Sequence, residues 1–382
     1  MIDPDKKSVA HIVTPYLFYT GSWVYNQIVG VKDFNSFVFT QRKENLDQFP
    51  LNNIISAEDF PPYKIFLNKI YVKYSGKYGL FFRRETKKNK INIFHAHMGF
   101  EACYWIDMVK HTSLPFVTSF YGQDVSKLGK IDSWLKKYKL VFDYGALFLA
   151  EGPFLRKQLI EIGCPEEKTV IQKLGIHVDK YPVKDWNKKN NKIKIMQVSA
   201  FREKKGIEYS LEAVSLLKKK FKDFEFVLAG GWDNEEAFLN IKNLIKKLSI
   251  EDKVSLLGKI THKQMIEKLL DCDIFLHPSV IASDGDNEGG APVSIMEASA
   301  MGLPVVSTLH ADIPEVIIHN KTGLLSEEKN SPAVCANLIE LINSDEKRIN
   351  FGLAGRKYIE EKYNLVNQVE KLSNIYHNLI GS

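Results

Sequence analysis

Residues 284–306 read DGDNEGGAPVSIMEASAMGLPVV and predict a loop that leads into a short helix and then a strand. Gly289 and Gly290 allow a ligand to approach the backbone closely. Pro292 suits the first turn of a helix, and Gly302 suits its end. The first N–H groups of a helix are unpaired and carry partial positive charge. This turn therefore favours binding of the hydroxyls or phosphates of a ligand.

Glu297 is the only charged side chain between Gly289 and Ala311. A carboxylate among such small and apolar neighbours needs a partner, because an unpaired buried charge is costly. A ribose diol could donate to both carboxylate oxygens. The alternative, a glutamate on the exposed face of a helix, stays open at this point.

Short β-rich runs alternate with helical patterns along most of the chain, which predicts parallel sheets joined by crossover helices. In the first half, the predicted strands are 9–13, 37–39, 91–94, 116–118, 146–150 and 170–173. In the second half, they are 193–198, 224–229, 254–257, 274–277, 305–307 and 323–325. We therefore predict an α/β protein with two Rossmann-like domains that face each other across a cleft, where the carboxyl ends of the strands form the site.

A chain of 382 residues is too long for one ordinary core and suits two. We predict an N-terminal acceptor-side domain over 1–180, a C-terminal ligand-binding domain over 181–363 and a final helix over 364–382 that is free to pack back on the first domain. The polar stretch 181–192, rich in Lys and Asn, is interpreted as the edge of the linker.

The composition is that of a globular protein, since 45% of the residues are hydrophobic and 26% are charged. No apolar run approaches the roughly 20 residues that span a bilayer. The first residues, MIDPDKK, carry carboxylates where a signal peptide needs positive charge, and the four cysteines form no C-x-x-C motif. We expect a cytoplasmic protein without disulfides.

Positive charge is concentrated in the first half of the chain. Residues 1–180 contain 25 Lys and Arg against 18 Asp and Glu, whereas residues 181–382 contain 27 against 28. The excess suggests that this half faces an anionic partner. No nucleic-acid-binding module accompanies it, so we do not expect nucleic acid to be that partner.

Residues 61–90 combine basic and aromatic side chains, with Glu85 as the single acid. Phe66, Ile70, Tyr74 and Tyr78 recur every four residues, so one helix would present them on one face. Such a helix beside lysines is typical of a segment that lies on an anionic membrane. The alternative is an ordinary amphipathic helix whose aromatic face belongs to the core. The basic residues assigned to this membrane or acceptor patch are Arg83, Arg84, Lys87 and Lys88.

The order Glu288-Gly289, Glu297, Gly302-x-Pro304-Val-Val resembles the retaining family-four glycosyltransferases, which have the two-domain GT-B fold, and most closely the colanic-acid and exopolysaccharide type. The resemblance also includes the segments 93–99, 116–125, 203–206, 228–231 and 307–325. It implies a hexosyltransferase that uses a UDP- or GDP-sugar and acts with retention of configuration on a glycan or lipid-linked glycan, in cell-surface polysaccharide biosynthesis.

The resemblance also implies roles for individual residues. Glu297 would hold the ribose hydroxyls, Lys205 would neutralise the diphosphate, and His97 would line the cleft near the sugar or acceptor. The catalytic candidates are His97, Lys205 and Glu288. The donor-binding candidates are Gly21, Ser22, Arg202, Lys205, Glu288, Gly289, Gly290, Ala291 and Glu297. The implied chemistry needs no metal and no cofactor besides the sugar nucleotide as co-substrate.

The chain departs from the family pattern at three places. Eight residues separate Glu288 from Glu297 where the family has seven, so the extra loop residue could turn Glu288 away. Ala200 stands where the family usually has arginine, and Arg202 either replaces it at the phosphates or is a surface residue. Tyr121 stands where the family has histidine.

Two sequence features could instead indicate a metal. Asp284-Gly285-Asp286 is similar to the Asp-x-Asp clamp of the other glycosyltransferase fold, but a calcium loop would need Glu at the position of Ile295. His95 and His97 share one face of a strand, but His-x-His without a third ligand is weak support for a metal. We therefore predict none.

Two other functions remain as alternatives. A nucleotide-sugar 2-epimerase shares the fold but needs further acid and base residues, and no such set of carboxylates is apparent. A non-catalytic nucleotide-sugar-binding partner subunit is favoured by Ala200 and Tyr121.

Overall fold

The computed structural model describes residues 2–18, 21–188, 192–232 and 235–381. The chain divides into two compact units. Unit 1 consists of Met1–Gly175 and Leu365–Ser382, and unit 2 consists of Ile176–Asn364. Each unit is a parallel sheet with helices packed on it, so the predicted α/β class with two Rossmann-like domains is confirmed.

The sheet of unit 1 has seven strands among the described residues, in the order β3-β2-β1-β4-β5-β6-β7. These strands are β1 (Ser8–Ile12), β2 (Asn35–Thr40), β3 (Ile54–Ser56), β4 (Ile91–His97), β5 (Phe116–Phe120), β6 (Leu147–Ala150) and β7 (Thr169–Ile171). The helices of this unit before the crossover are α1 (Ser22–Gly30), α2 (Pro62–Ser75), α3 (Phe82–Lys88), α4 (Gly99–Lys110), α5 (Gln123–Ser126), α6 (Asp132–Tyr144) and α7 (Pro153–Glu161).

The sheet of unit 2 has six strands within the described ranges, in the order β10-β9-β8-β11-β12-β13. They are β8 (Ile193–Val198), β9 (Phe224–Ala229), β10 (Val254–Gly258), β11 (Ile274–His277), β12 (Val305–Thr308) and β13 (Gly323–Ser326). The helices are α8 (Ile207–Lys218), α9 (Glu235–Lys247), α10 (His262–Leu270), α11 (Val293–Ala300), α12 (Ile313–Val316), α13 (Ser331–Ile342) and α14 (Asp345–Lys362).

The last helix, α15 (Leu365–Ile380), belongs to unit 1 although it follows unit 2 in sequence. Its residues Val369, Leu372 and Tyr376 are buried in one hydrophobic cluster with Val9 of β1 and Ile93 of β4. Burial of this apolar stripe favours the return of the chain, since each large apolar side chain contributes roughly 1.5–3 kcal/mol when fully buried.

The predicted strands are all present, and the sequence analysis missed only the edge strand β3. Three residues are too few to show an alternating pattern, and within the described part of the chain β3 pairs with β2 alone. The segment 181–192, interpreted as the edge of the linker, is partly buried in unit 2. Its residues 189–191 lie outside the described residues, but Tyr181 and Lys184 are buried within unit 2. The buried Lys184 Nζ lies 3.3 Å from Asp273 Oδ1, so this part of the segment belongs to the core of unit 2.

Among the described residues, no helix is both long and apolar enough to cross a lipid bilayer.

Candidate functional site

The main group of polar side chains in unit 2 lies at the carboxyl ends of β8, β11 and β12. These strands are neighbours in the sheet, so the loops that follow them lie side by side. The loop after β8 carries Lys205, and the loop after β11 carries Glu288, 83 positions further along the chain. Strand order brings the two residues together.

Gly206 makes this meeting of loops possible. It has φ +63°, and a Cβ atom at this position would lie 1.7 Å from the carbonyl oxygen of Pro278. Only glycine tolerates both the left-handed backbone and so close an approach. The loop after β8 is therefore pressed against the end of β11, and Lys205 points towards Glu288.

Lys205 and Glu288 form a buried ion pair. Lys205 Nζ donates to Glu288 Oε2 at 2.6 Å, with 17% and 5% of the two side chains exposed. Ser279 Oγ donates to the other oxygen, Oε1, at 2.8 Å, and His277 Nε2 lies 3.8 Å from the same oxygen. The extra loop residue therefore does not turn Glu288 to solvent.

The pKa values of this group follow from burial and charge. Burial by itself would raise the pKa of Glu288, but Lys205, His277 and Lys204 together hold it well below its usual range. Burial lowers the pKa of His277, against the opposing effect of Glu288. At neutral pH the Glu288 carboxyl is therefore ionised and the His277 imidazole is neutral.

A second histidine holds the backbone of Glu288 in place. The Glu288 N–H donates to His310 Nε2 at 3.1 Å, and His310 Nδ1 lies 2.7 Å from Glu328 Oε1. Since Nε2 accepts, Nδ1 carries the proton and donates to the carboxylate. Burial raises the pKa of Glu328, but His310 and the Ile281 N–H outweigh that effect and lower it.

The rest of the loop after β11 is shaped by its own polar groups. Lys204 Nζ lies 3.3 Å from Asp286 and donates to the carbonyl of Asn287 at 2.9 Å. The Gly289 N–H donates to Asn287 Oδ1, and Gly289 has φ +75°, which favours glycine. Gly290 is buried and Ala291 is half-buried just before α11. The side chain of Lys204 thus pairs with Asp286, which belongs to the Asp284-Gly285-Asp286 motif that is similar to a metal clamp.

Glu297 lies on α11 and is almost entirely buried. Tyr181 Oη donates to its Oε1 at 2.7 Å, and His262 Nε2 lies 3.1 Å from the same oxygen. The hydrogen bond to Glu297 raises the pKa of His262, and burial followed by the charge of Glu297 raises that of Tyr181. Tyr181 and His262 both contact Oε1 of Glu297. Because Glu297 is almost entirely buried, the alternative of a glutamate on the exposed face of a helix is wrong.

In unit 1, His97 is the last residue of β4 and is fully buried. Both of its ring nitrogens are occupied, Nδ1 at 2.8 Å from Tyr121 Oη and Nε2 at 3.0 Å from His11 Nδ1. Asp124 fixes the neighbouring loops, because its carboxylate accepts from the N–H groups of Gly99, Tyr121 and Gly122.

The other predicted donor-binding residues are placed as follows. Gly21 is buried at the turn before α1, and Ser22 is the exposed first residue of that helix. Arg202 is exposed at the start of the Glu203–Lys205 turn. The structure groups Lys205 with Glu288 inside unit 2, and the roles of all these residues in binding and catalysis stay predictions.

The aromatic segment of unit 1 is divided between two helices and not carried by one. Helix α2 ends before Gly76, so Tyr78 leaves the helix and packs on Tyr104, with ring centroids 4.9 Å apart. The prediction that Tyr78 shares a face with the helical aromatics is wrong. Gly76, with φ +63°, supplies the left-handed C-cap that ends α2.

The apolar stripe of α2 nevertheless faces outwards. Its exposed members are Tyr63, Phe66, Leu67, Ile70 and Tyr74. Phe66 is 64% and Tyr74 is 80% exposed, so the core alternative is wrong for these two. Arg83, Arg84, Lys87 and Lys88 are all exposed on α3.

Tyr181, Ser279 and His310 are residues of the site region that the sequence analysis missed. Tyr181 stood in the stretch interpreted as linker edge, and His310 lies in an ordinary strand-to-helix connection. A partial signal existed for Ser279 and His310. Both follow strands at the sheet edge where α/β sites form. No local pattern pointed to Tyr181.

The Glycosyl transferases group 1 family matches residues 182–358, which contain Lys205, Glu288 and Glu297. Amylovoran biosynthesis glycosyltransferase AmsK of Erwinia amylovora is 36% identical over 248 residues, 65% of this chain and 60% of that protein. Putative colanic acid biosynthesis glycosyltransferase WcaL of Escherichia coli is 32% identical over 223 residues, 58% of this chain and 53% of that protein. The matched region thus spans less than two thirds of either relative.

Solved structures are similar over almost the whole chain. A glycosyltransferase from Rickettsia africae has a TM-score of 0.77 at 20% identity and covers 99% of this chain and 100% of its own. Anabaena Alr3699/HepE in complex with UDP and glucose has a TM-score of 0.79 at 15% identity and covers 98% and 100%. At these identities the similarity shows the fold.

The resemblance drawn from the Glu288 to Val306 motif is therefore confirmed. Residues 182–358 match the Glycosyl transferases group 1 family, and the whole chain has the GT-B fold of solved glycosyltransferases.

Proposed function

We propose that the protein is a glycosyltransferase that moves a hexosyl group from a nucleotide diphosphate sugar to a growing glycan during exopolysaccharide biosynthesis, with retention of configuration. The observation that carries the proposal is the buried Lys205–Glu288 pair at the carboxyl edge of the second sheet, beside the start of α11. An ammonium held in a protein pocket is well suited to stabilise negative charge on a departing diphosphate.

In this mechanism the C1–O bond to the diphosphate breaks as the acceptor oxygen bonds to C1 from the same face. The acceptor proton passes to the departing phosphate. Lys205 neutralises the charge that grows on the diphosphate, and Glu288 keeps Lys205 in place until the donor binds. The Glu288 carboxylate is itself held by Ser279, so the lysine needs little reorganisation when it acts.

The nucleoside would be bound by Glu297. Its Oε1 accepts from Tyr181 and contacts His262, which fixes the carboxylate while Oε2 accepts from a ribose hydroxyl. The N–H groups at the start of α11, with Gly289, Gly290 and Ala291 just before them, would face the donor sugar.

Similar proteins support this class of donor and pathway. AmsK is an amylovoran biosynthesis glycosyltransferase, WcaL is a putative colanic acid biosynthesis glycosyltransferase, and Alr3699/HepE was solved in complex with UDP-glucose. We therefore propose a UDP- or GDP-sugar donor and a polysaccharide precursor as the acceptor.

A panel of UDP-, GDP- and ADP-sugars tests the donor by thermal shift. A ligand at about 100 times its dissociation constant adds roughly 2.7 kcal/mol of stability. The protein is then incubated with the sugar nucleotide that stabilises it and with extracts of lipid-linked glycans. Release of the nucleoside diphosphate and the anomeric configuration of the product are measured. Binding without hydrolysis or transfer would favour the non-catalytic subunit, and no stabilisation by any sugar nucleotide would refute the proposal.

We also propose that α2 and α3 dock on an anionic membrane, where a lipid-linked acceptor would be found. Five apolar or aromatic side chains of α2 are exposed to solvent, and exposed apolar patches often mark an interaction surface. The basic side chains of α2 and α3 would contact anionic head groups. About 1 kcal/mol per basic residue near such a surface makes four of them a useful reversible anchor.

Sedimentation with liposomes tests this docking. Binding should need anionic lipid, weaken with salt, and fall when Arg83, Arg84, Lys87 and Lys88 are changed to Glu. The matched control changes the exposed pair Lys246 and Lys247 of unit 2 to Glu and should bind as the unchanged protein does. Equal binding of the protein to neutral and anionic vesicles, or no binding to either kind, would contradict the docking proposal.

A further inference from the structure

Three fully buried histidines meet in unit 1. His11 lies on β1 directly beside His95 of β4, and His97 follows two positions later on the same face of β4. One ring nitrogen from each residue lies within 4.8 Å of the other two. The sequence showed His-x-His without a third ligand, and strand pairing supplies that ligand from 84 positions earlier in the chain.

The hydrogen bonds of the cluster leave one nitrogen unpaired. His95 Nδ1 contacts Tyr376 Oη, and His95 Nε2 contacts Ser119 Oγ at 2.7 Å. His97 is paired with Tyr121 and His11 as described above. His11 Nε2 has no hydrogen-bond partner among the residues that the structure describes, although it is completely buried. Such an atom costs free energy and calls for a water or an ion.

The chemistry of the cluster suits a transition metal. All three rings are completely buried, and burial disfavours the charged form of an imidazole. Neutral imidazole is the form that binds Zn²⁺. Tyr376 and Tyr121 contact the Nδ1 atoms of His95 and His97, as partners outside the metal shell do when they orient ligating histidines.

We propose that His11, His95 and His97 bind one divalent transition-metal ion through one nitrogen each, with Zn²⁺ the best match. The ion would replace the contact of His95 Nε2 with Ser119 and the contact of His97 Nε2 with His11. Three-histidine zinc sites have bonds of about 2.0–2.1 Å, so their nitrogens lie roughly 3.4 Å apart. The most widely separated nitrogens would need to approach each other by up to about 1.4 Å from the present spread of up to 4.8 Å.

The ion would join β1 to β4 at the carboxyl end of the first sheet and would take no part in sugar transfer. His97 would then act as a metal ligand and not as a sugar contact. The proposal does not rest on the proposed function, since it concerns residues of unit 1 alone and its readout is bound metal.

Metal analysis of protein purified without a polyhistidine tag tests the site. The protein is produced in zinc-supplemented medium, dialysed against metal-free buffer and measured by mass spectrometry for metal per chain. We expect about one zinc per chain in the unchanged protein and at least tenfold less in His11→Gln. The matched control is His111→Gln, which changes an exposed histidine of the same unit and should keep its zinc.

Substitution with Co²⁺ supplies a second measurement, because four-coordinate cobalt gives intense visible absorption that histidine hydrogen bonds do not. Refolding the unchanged protein with Co²⁺ should produce these bands, and Zn²⁺ should displace them. The unchanged protein decides the outcome even if His11→Gln fails to fold. Only trace metal after zinc-supplemented growth and after refolding, or equal zinc in folded His11→Gln, would overturn the proposal.

Discussion

Replacement of Lys205 by Met should destabilise unit 2 because it leaves the Glu288 carboxylate buried without its counter-ion. Removal of one partner from a buried ion pair costs about 3–5 kcal/mol. Lys205 retains 17% exposure, so water partly compensates the loss, and we expect a cost near the lower end, about 3 kcal/mol. For a domain of this size, that cost corresponds to a fall in melting temperature of about 6–12 °C.

The pH dependence identifies the cause of this loss. In the unchanged protein, the pKa of Glu288 is depressed, so the pair contributes stability above the unfolded pKa of about 4.5 and loses it as pH falls further. Without Lys205, burial dominates and raises the pKa of the carboxyl. The deficit of Lys205→Met should therefore be largest near pH 8 and should shrink as the solution is acidified and Glu288 takes up a proton.

The assay is thermal unfolding between pH 5 and pH 8 of the unchanged protein, Lys205→Met and the double variant Lys205→Met with Glu288→Gln. The double variant should recover part of the loss, because it removes the unpaired charge. Lys218→Met, which breaks an exposed pair with Asp252, is the matched control and should change the melting temperature little. A pH-independent deficit in Lys205→Met, or no recovery in the double variant, would refute this account of the pair.

The remaining predictions concern the site and its supports. Glu297→Gln should leave the fold intact and weaken nucleotide binding by about 1.5–3 kcal/mol, measured by calorimetry; unchanged affinity would remove Glu297 from the ribose site. Gly206→Ala should greatly lower the yield of folded protein because of the 1.7 Å approach to Pro278, whereas Gly76→Ala, at the same φ but with nothing within 4 Å, should cost only about 1–2 kcal/mol. The raised pKa of His262 should be visible by NMR and should fall towards 6.5 in Glu297→Gln, since the hydrogen bond to that carboxylate is its main cause. The contribution of this hydrogen bond to folding stability is present below the pKa of the unfolded state and is lost as pH rises through the pKa of the folded state.

The sequence by itself determined the fold class and the local structure of the loop and helix that carry the candidate site. Alternation of strands and helices follows from local apolar patterns, which act over a few residues, so the predicted strands of both sheets were recovered. The loop and helix of residues 284–306 could be read for the same reason, since glycine and proline set backbone angles locally.

Only the tertiary structure decided which side chains meet. Lys205 and Glu288 are 83 positions apart, and His11 and His95 are 84 apart, so strand order and register bring each pair together. Tyr181 reaches Glu297 across 116 positions from a segment whose sequence resembles a linker. Contacts of this kind depend on the whole sheet being assembled and leave no periodic signal in the chain.

The structure also decided which apolar faces are covered. The stripes of α2 and α15 are both patterns of large apolar residues, yet α15 is buried on the first sheet, whereas α2 leaves Phe66 and Tyr74 in contact with solvent. Periodicity shows that a helix has an apolar face, but burial depends on whether another element packs against it. That difference separates a core helix from a helix with an exposed apolar face, and it arises from three-dimensional packing alone.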